Sequence, residues 1–148
     1  MDILAVNNDL PDTTPLSLKS ESFFKILLVE DSLLLRNLIV DILNDIKGVG
    51  IIGFAEDEIS ALIHIENFKP DLAIIDLELK SGTGIGVLQT LCQEPARFGA
   101  IKRIIFSNHA HHSVRLRCEQ LGADAFFDKS LQLDEMIEYI QNEMLGKF

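Results

Sequence analysis

This chain is short of several residue types, and each shortage excludes something. It has no tryptophan, one tyrosine, four prolines and two cysteines in 148 residues. The cysteines, Cys92 and Cys118, lie far apart in stretches that read as helices, so buried free thiols are expected rather than a disulfide. Positive charge is scarce as well. Thirteen lysines and arginines stand against 23 acidic residues, for a net charge of -10. That disfavours direct binding of nucleic acid, whose phosphates need clustered cations. The one basic group, Arg115 and Arg117 near Lys102 and Arg103, is too small to reverse the balance. No apolar run approaches the ~20 residues of a membrane helix. The N-terminus is acidic, without a basic segment leading into an apolar one, so it is no secretory signal and a cytoplasmic location is expected.

What is present is a regular alternation. Residues 1–22 are rich in breakers (Asn7-Asn8-Asp9, Pro11, Thr13-Thr14-Pro15) and are expected to form a flexible N-terminal extension, with a tail that docks in a partner as the alternative. Residues 23–148 then read as one domain. Lys25–Val29 is a continuous apolar strand ending in Glu30-Asp31, and Ser32 can cap a helix carrying Leu35, Leu38, Ile39, Ile42 and Leu43, ended by Gly48 and Gly50. Val49–Ala55 is a second strand, and Ile59, Leu62, Ile63 and Ile65 mark a helix that stops before Pro70. Leu72-Ala73-Ile74-Ile75 runs into Asp76, and a third helix carries Ile85, Val87, Leu88 and Leu91. Ile101–Phe106 is a fourth strand, with a helix around Val114, Cys118 and Leu121. Ala125–Phe127 is a short fifth strand, and the last helix uses Leu131, Leu133, Met136, Ile137, Ile140 and Met144. Apolar strands without polar alternation need helices on both faces. The expected fold is α/β: a flavodoxin-like, doubly wound (βα)5 sandwich with a five-stranded parallel sheet in the order 2-1-3-4-5.

That order brings the carboxyl ends of strands 1 and 3 together at the switch point, where ligands bind in such sheets. Glu30, Asp31 and Asp76 stand there, Ser107 follows strand 4 and Lys129 follows strand 5. Three converging carboxylates repel one another unless a cation neutralises them, and Mg²⁺ suits an all-oxygen set. Lysine and serine can contact phosphoryl oxygens. An aspartate beside Mg²⁺ and lysine is equipped to attack phosphorus.

The set Glu30-Asp31, Asp76, Ser107 and Lys129 resembles the receiver domain of two-component response regulators, from Lys25 to about Leu145. Val29-Glu30-Asp31-Ser32 with Arg36, Lys69-Pro70-Asp71-Leu72 and Leu121-Gly122-Ala123-Asp124 carry the same likeness. The resemblance implies that Asp76 is the phosphoacceptor, phosphorylated by a histidine kinase or histidine phosphotransfer protein. It implies Mg²⁺ held by Asp31, Asp76, the backbone carbonyl of Glu78 and, largely through water, Glu30. Ser107 would be the switch hydroxyl, Lys129 the phosphoryl contact and Phe126 the switch aromatic. The face made by helix 4, strand 5 and helix 5 would meet a downstream protein. Lys80 and Ser130 stand where this family usually has proline, and Asn108 is larger than usual after the switch hydroxyl. Glu78 and His109 occupy the two variable positions associated with dephosphorylation. The chain ends just past its fifth helix, so a stand-alone regulator acting by protein contacts or phosphate relay is expected.

Rival readings are weaker. A phosphorylation-independent binding module would not need all five chemical positions filled. A phosphatase of the haloacid dehalogenase type would use Asp76 with Glu78 but leaves Glu30-Asp31 without a role. Gly82-Thr83-Gly84-Ile85-Gly86 fails as a dinucleotide loop because Val87 replaces the last glycine. His109, His111 and His112 lack the partners of a four-ligand metal site, so a solvated loop is the plainer reading.

Overall fold

The computed structural model describes residues 23–147. The expected N-terminal extension, residues 1–22, lies outside the described residues. Five strands and their helices alternate, with one extra helical turn before the fourth strand: β1 Phe24–Val29, α1 Leu33–Asn44, β2 Val49–Ala55, α2 Glu58–Phe68, β3 Leu72–Ile75, α3 Gly84–Gln93, a single helical turn Pro95–Phe98, β4 Lys102–Ser107, α4 His112–Gln120, β5 Ala125–Asp128 and α5 Leu133–Lys147. The sheet order is β2-β1-β3-β4-β5, with every neighbouring pair parallel. This is the flavodoxin-like order expected from the sequence.

The apolar runs divide between two cores because successive strand residues point to opposite faces. Leu27, Val29, Ala73 and Ile75 pack against Ala61 and Ile65 of α2, Val87, Leu88 and Leu91 of α3, and Cys118 of α4. Ile26, Leu28, Leu72 and Ile74 face Ile39 and Leu43 of α1 and Met136 and Ile140 of α5. Each fully buried side chain of this size contributes about 1.5–3 kcal/mol. The central strands are thus fixed from both sides, which holds their carboxyl ends in register.

Some local expectations need correction. Gly50 lies within β2 and does not end a helix; α1 closes at Asp45, and Gly48 takes the left-handed turn (φ 90°) that leads into the strand. Leu38, Ile59, Ile63 and Leu131 are exposed. On α2 the small Ala61 sits on the inward face with Ile65, and that rotates Ile59 and Ile63 outward. Cys118 is buried as expected, whereas Cys92, on the outer side of α3, is exposed. The Lys129–Ser130 bond is trans, as is every peptide bond among the described residues.

Candidate functional site

The β1 and β3 ladders run one residue past their strands. Glu30 N–H donates to the Ala55 carbonyl (2.9 Å) and Asp76 N–H to the Val29 carbonyl (3.0 Å). The main chain at both acids is therefore fixed, and their side chains are nearly sealed: Glu30 is 2% and Asp76 5% exposed. Asp31 stands at the solvent edge. One carboxylate oxygen from each of the three comes within 4.8 Å of the others.

Lys129 enters from the end of β5, its N–H donating to the Ser107 carbonyl (3.1 Å). Its Nζ lies 2.8 Å from Asp76 Oδ2 and 2.9 Å from Glu30 Oε1. The other Glu30 oxygen accepts the Ser32 N–H (3.0 Å), so α1 begins on the site itself. Burial pushes the Glu30 carboxyl above its ordinary range, against the hydrogen bond from Lys129, and the nearby Asp76 charge adds to the rise. For Lys129, burial works to lower the pKa, but the hydrogen bonds and charges of Asp76 and Glu30 outweigh it and raise the ammonium above its usual value. One ammonium cannot balance three carboxylates, and the excess negative charge fits a hard divalent cation with oxygen ligands. The donor set is right for Mg²⁺: two buried acids, one exposed, all oxygen.

Ser107 is fully buried at the end of β4, and its Oγ accepts the His109 N–H (3.1 Å). His109 Nε2 lies 2.9 Å from Glu78 Oε2, which joins the loop after β4 to the one after β3. Asn108 Oδ1 accepts the Ser130 hydroxyl (3.3 Å). The β3–α3 loop is pinned to α2: Glu58 Oε1 accepts the Thr83 N–H (3.0 Å), and the Thr83 hydroxyl caps α3 by accepting the Gly86 N–H (3.0 Å).

The structure brings Glu30, Asp31, Asp76 and Lys129 into direct proximity, with Ser107 on the neighbouring strand end. Phe126 is half-buried on β5, where the Arg115 guanidinium carbon stands 4.6 Å from its ring centroid. Arg115 and its partner Gln132 were not legible as site-linked residues. In the sequence Arg115 looks like one of a pair of surface cations, with no signal that links it to the site.

Residues 26–141 match the response regulator receiver domain family. The protein-glutamate methylesterase/protein-glutamine glutaminase 1 of Methanospirillum hungatei is 33% identical over 107 residues, covering 71% of this chain and 30% of that protein. The corresponding protein of Trichodesmium erythraeum is 29% identical over 129 residues, covering 84% and 36%. The chain thus spans about a third of the length of these curated relatives. Among solved structures, a CheY-like receiver domain protein from Methanospirillum hungatei aligns with a TM-score of 0.72 at 25% identity, covering 84% of this chain and 96% of that one. A two-component response regulator of the LuxR family from an Aurantimonas species aligns at 0.75 and 25% identity, covering 84% and 87%. The chain belongs to the response regulator receiver domain family of two-component signalling. Among the described residues no helix is long and apolar enough to cross a membrane.

Proposed function

We propose that this receiver domain is switched by phosphorylation of Asp76, with the phosphoryl group taken from the phosphohistidine of a histidine kinase or histidine phosphotransfer protein in the cytoplasm. The observation that carries the reading is the meeting of Glu30, Asp31 and Asp76 with the Lys129 ammonium, 2.8 Å from Asp76. Asp31, Asp76, the Glu78 carbonyl and, largely through water, Glu30 would hold Mg²⁺. When bound, that ion would neutralise the carboxylates and the phosphoryl oxygens.

The chain's own residues do the rest. An Asp76 oxygen attacks phosphorus, the P–N bond of the donor breaks, and the imidazole leaves with the electron pair and takes up a proton. The acyl phosphate stays on Asp76, with Lys129 as a fixed positive charge on a phosphoryl oxygen. Ser107 accepts from His109 N–H in the present arrangement, so its own hydroxyl proton is free to be donated to a second phosphoryl oxygen. Water attack on the same phosphorus ends the signal, and Glu78 and His109, 2.9 Å apart, occupy the two positions associated with its rate. The domain turns over no separate substrate in this reading. Its output is a changed protein-binding face across α4, β5 and α5.

Incubation with acetyl phosphate and Mg²⁺, followed by intact mass measurement, tests this. One phosphoryl group should appear with Mg²⁺ and none in excess chelator. An unlabelled protein would leave the phosphorylation-independent binding module as the better account.

A further inference from the structure

One guanidinium on α4 touches both segments that carry the site's switch hydroxyl and its lysine. Arg115 Nε donates to the Ala110 carbonyl (3.1 Å), three residues after Ser107. Its Nη1 donates to the Phe126 carbonyl (3.3 Å), and its charged plane lies against the Phe126 ring. Its Nη2 donates to Gln132 Oε1 (3.0 Å), and that same oxygen accepts the N–H of Asp128 (2.9 Å), the residue before Lys129. Arginine is suited to this because its donors are set in a rigid planar fork whose face also stacks on aromatic rings. Lysine has one point charge and no such plane.

We propose that Arg115 is the restraint that sets the conformational equilibrium of this receiver: it ties the β4–α4 loop and the Phe126 ring to the β5–α5 turn, and the phosphorylated state forms only by displacing it. The inference rests on the reading of Ser107 and Phe126 as switch residues. Movement of Ser107 toward a phosphoryl group on Asp76 carries the loop through Ala110 with it, and Ala110 is held by Nε. Inward rotation of Phe126 leaves the face on which the guanidinium stacks. Both movements break contacts to the same side chain, so they are coupled through it. Arg115 touches none of the reacting atoms; it is a positioning residue.

A ligand that binds only the displaced state has its apparent affinity reduced by the fraction of protein in that state. Releasing the restraint should raise that fraction. Loss of one net hydrogen bond and one cation–π contact corresponds to roughly five- to fifty-fold.

The test is a titration of beryllofluoride with Mg²⁺ into the wild-type protein, Arg115→Ala and Arg115→Lys, together with amide hydrogen exchange at residues 108–113. Arg115→Ala should bind beryllofluoride about five- to fifty-fold more tightly, and its loop amides should exchange faster before any ligand is added. Arg115→Lys keeps the charge without the fork, should shift the same way, and covers the case in which the alanine variant fails to fold. Unchanged or weaker affinity with unchanged loop exchange would overturn the restraint. A wild-type protein that binds no beryllofluoride would instead overturn the phosphoacceptor reading, while the exchange rates of the variants still decide whether Arg115 holds the loop.

Discussion

No side chain fits on residue 84, because a Cβ built on Gly84 overlaps the backbone carbonyl oxygen of Asp76. The Gly84 N–H also donates to the Leu77 carbonyl (3.0 Å), so the first turn of α3 is laid directly on the chain that presents the acid. This close approach fixes where the loop re-enters the helix and keeps Asp76 at its mouth.

Gly84→Ala should therefore destabilise the domain by about 1–3 kcal/mol, the usual cost of forcing an extra carbon into packed backbone. Urea unfolding measures it. An unchanged midpoint would mean that α3 can shift away from Asp76 at no cost.

Lys129 is the sole described cation within salt-bridge distance of Glu30 and Asp76. Replacing it with Met leaves two buried carboxylates without their partner, which costs about 3–5 kcal/mol when a buried pair is broken. The loss should be largest in chelator and should shrink as Mg²⁺ is added, since the ion supplies the missing positive charge. Equal loss with and without Mg²⁺ would count against a shared acidic site.

The Glu30 carboxyl is raised chiefly by burial, which gives a pH signature. A group whose folded pKa is raised contributes stability that is fully present below its unfolded pKa of 4.5 and is lost as pH rises through the folded value. Glu30→Gln, which stays neutral, should thus raise the unfolding midpoint of the metal-free protein at pH 7. The advantage should close as pH falls toward 4.5. A variant less stable than wild type at pH 7 would show that the Lys129 and Ser32 bonds outweigh burial.

Ser107 separates chemistry from output in this account. Ser107→Ala should accept phosphate within a modest factor of wild type yet gain no partner affinity. The wild-type gain on beryllofluoride binding should be roughly five- to 150-fold, the range of a ~1–3 kcal/mol coupling. Equal gains in the two proteins would show that the hydroxyl is not on the path from site to surface.

The central strand runs, residues 26–29 and 72–75, were legible because burial on both faces leaves no polar position in them. Leu72-Ala73-Ile74-Ile75 ending in Asp76 announced both the central strand and the acid at its end. The sheet order then brought Glu30 and Asp31 beside Asp76 without further information. Helix faces were less legible. Of the large apolar residues read on α2, Ile65 is buried and Leu62 packs on the core, whereas Ile59 and Ile63 are exposed; the small Ala61, where close packing is allowed, completes the side that meets the sheet. Contacts that depend on rotamers across long separations were hidden altogether. Nothing in the order of residues says that Arg115 reaches Ala110, Phe126 and Gln132 at once, or that Glu58 accepts from Thr83.

The central claim is that Asp76 carries the phosphoryl group. The direct measurement is to label wild type and Asp76→Asn with acetyl phosphate and Mg²⁺, trap the acyl phosphate with borohydride, and map the modified residue by peptide mass. The account predicts a phosphoryl group that hydroxylamine removes before trapping and a borohydride-reduced residue at Asp76 in the wild type, with neither in the variant; reduction mapped to Glu30 or Asp31, or a label retained in Asp76→Asn, would contradict it.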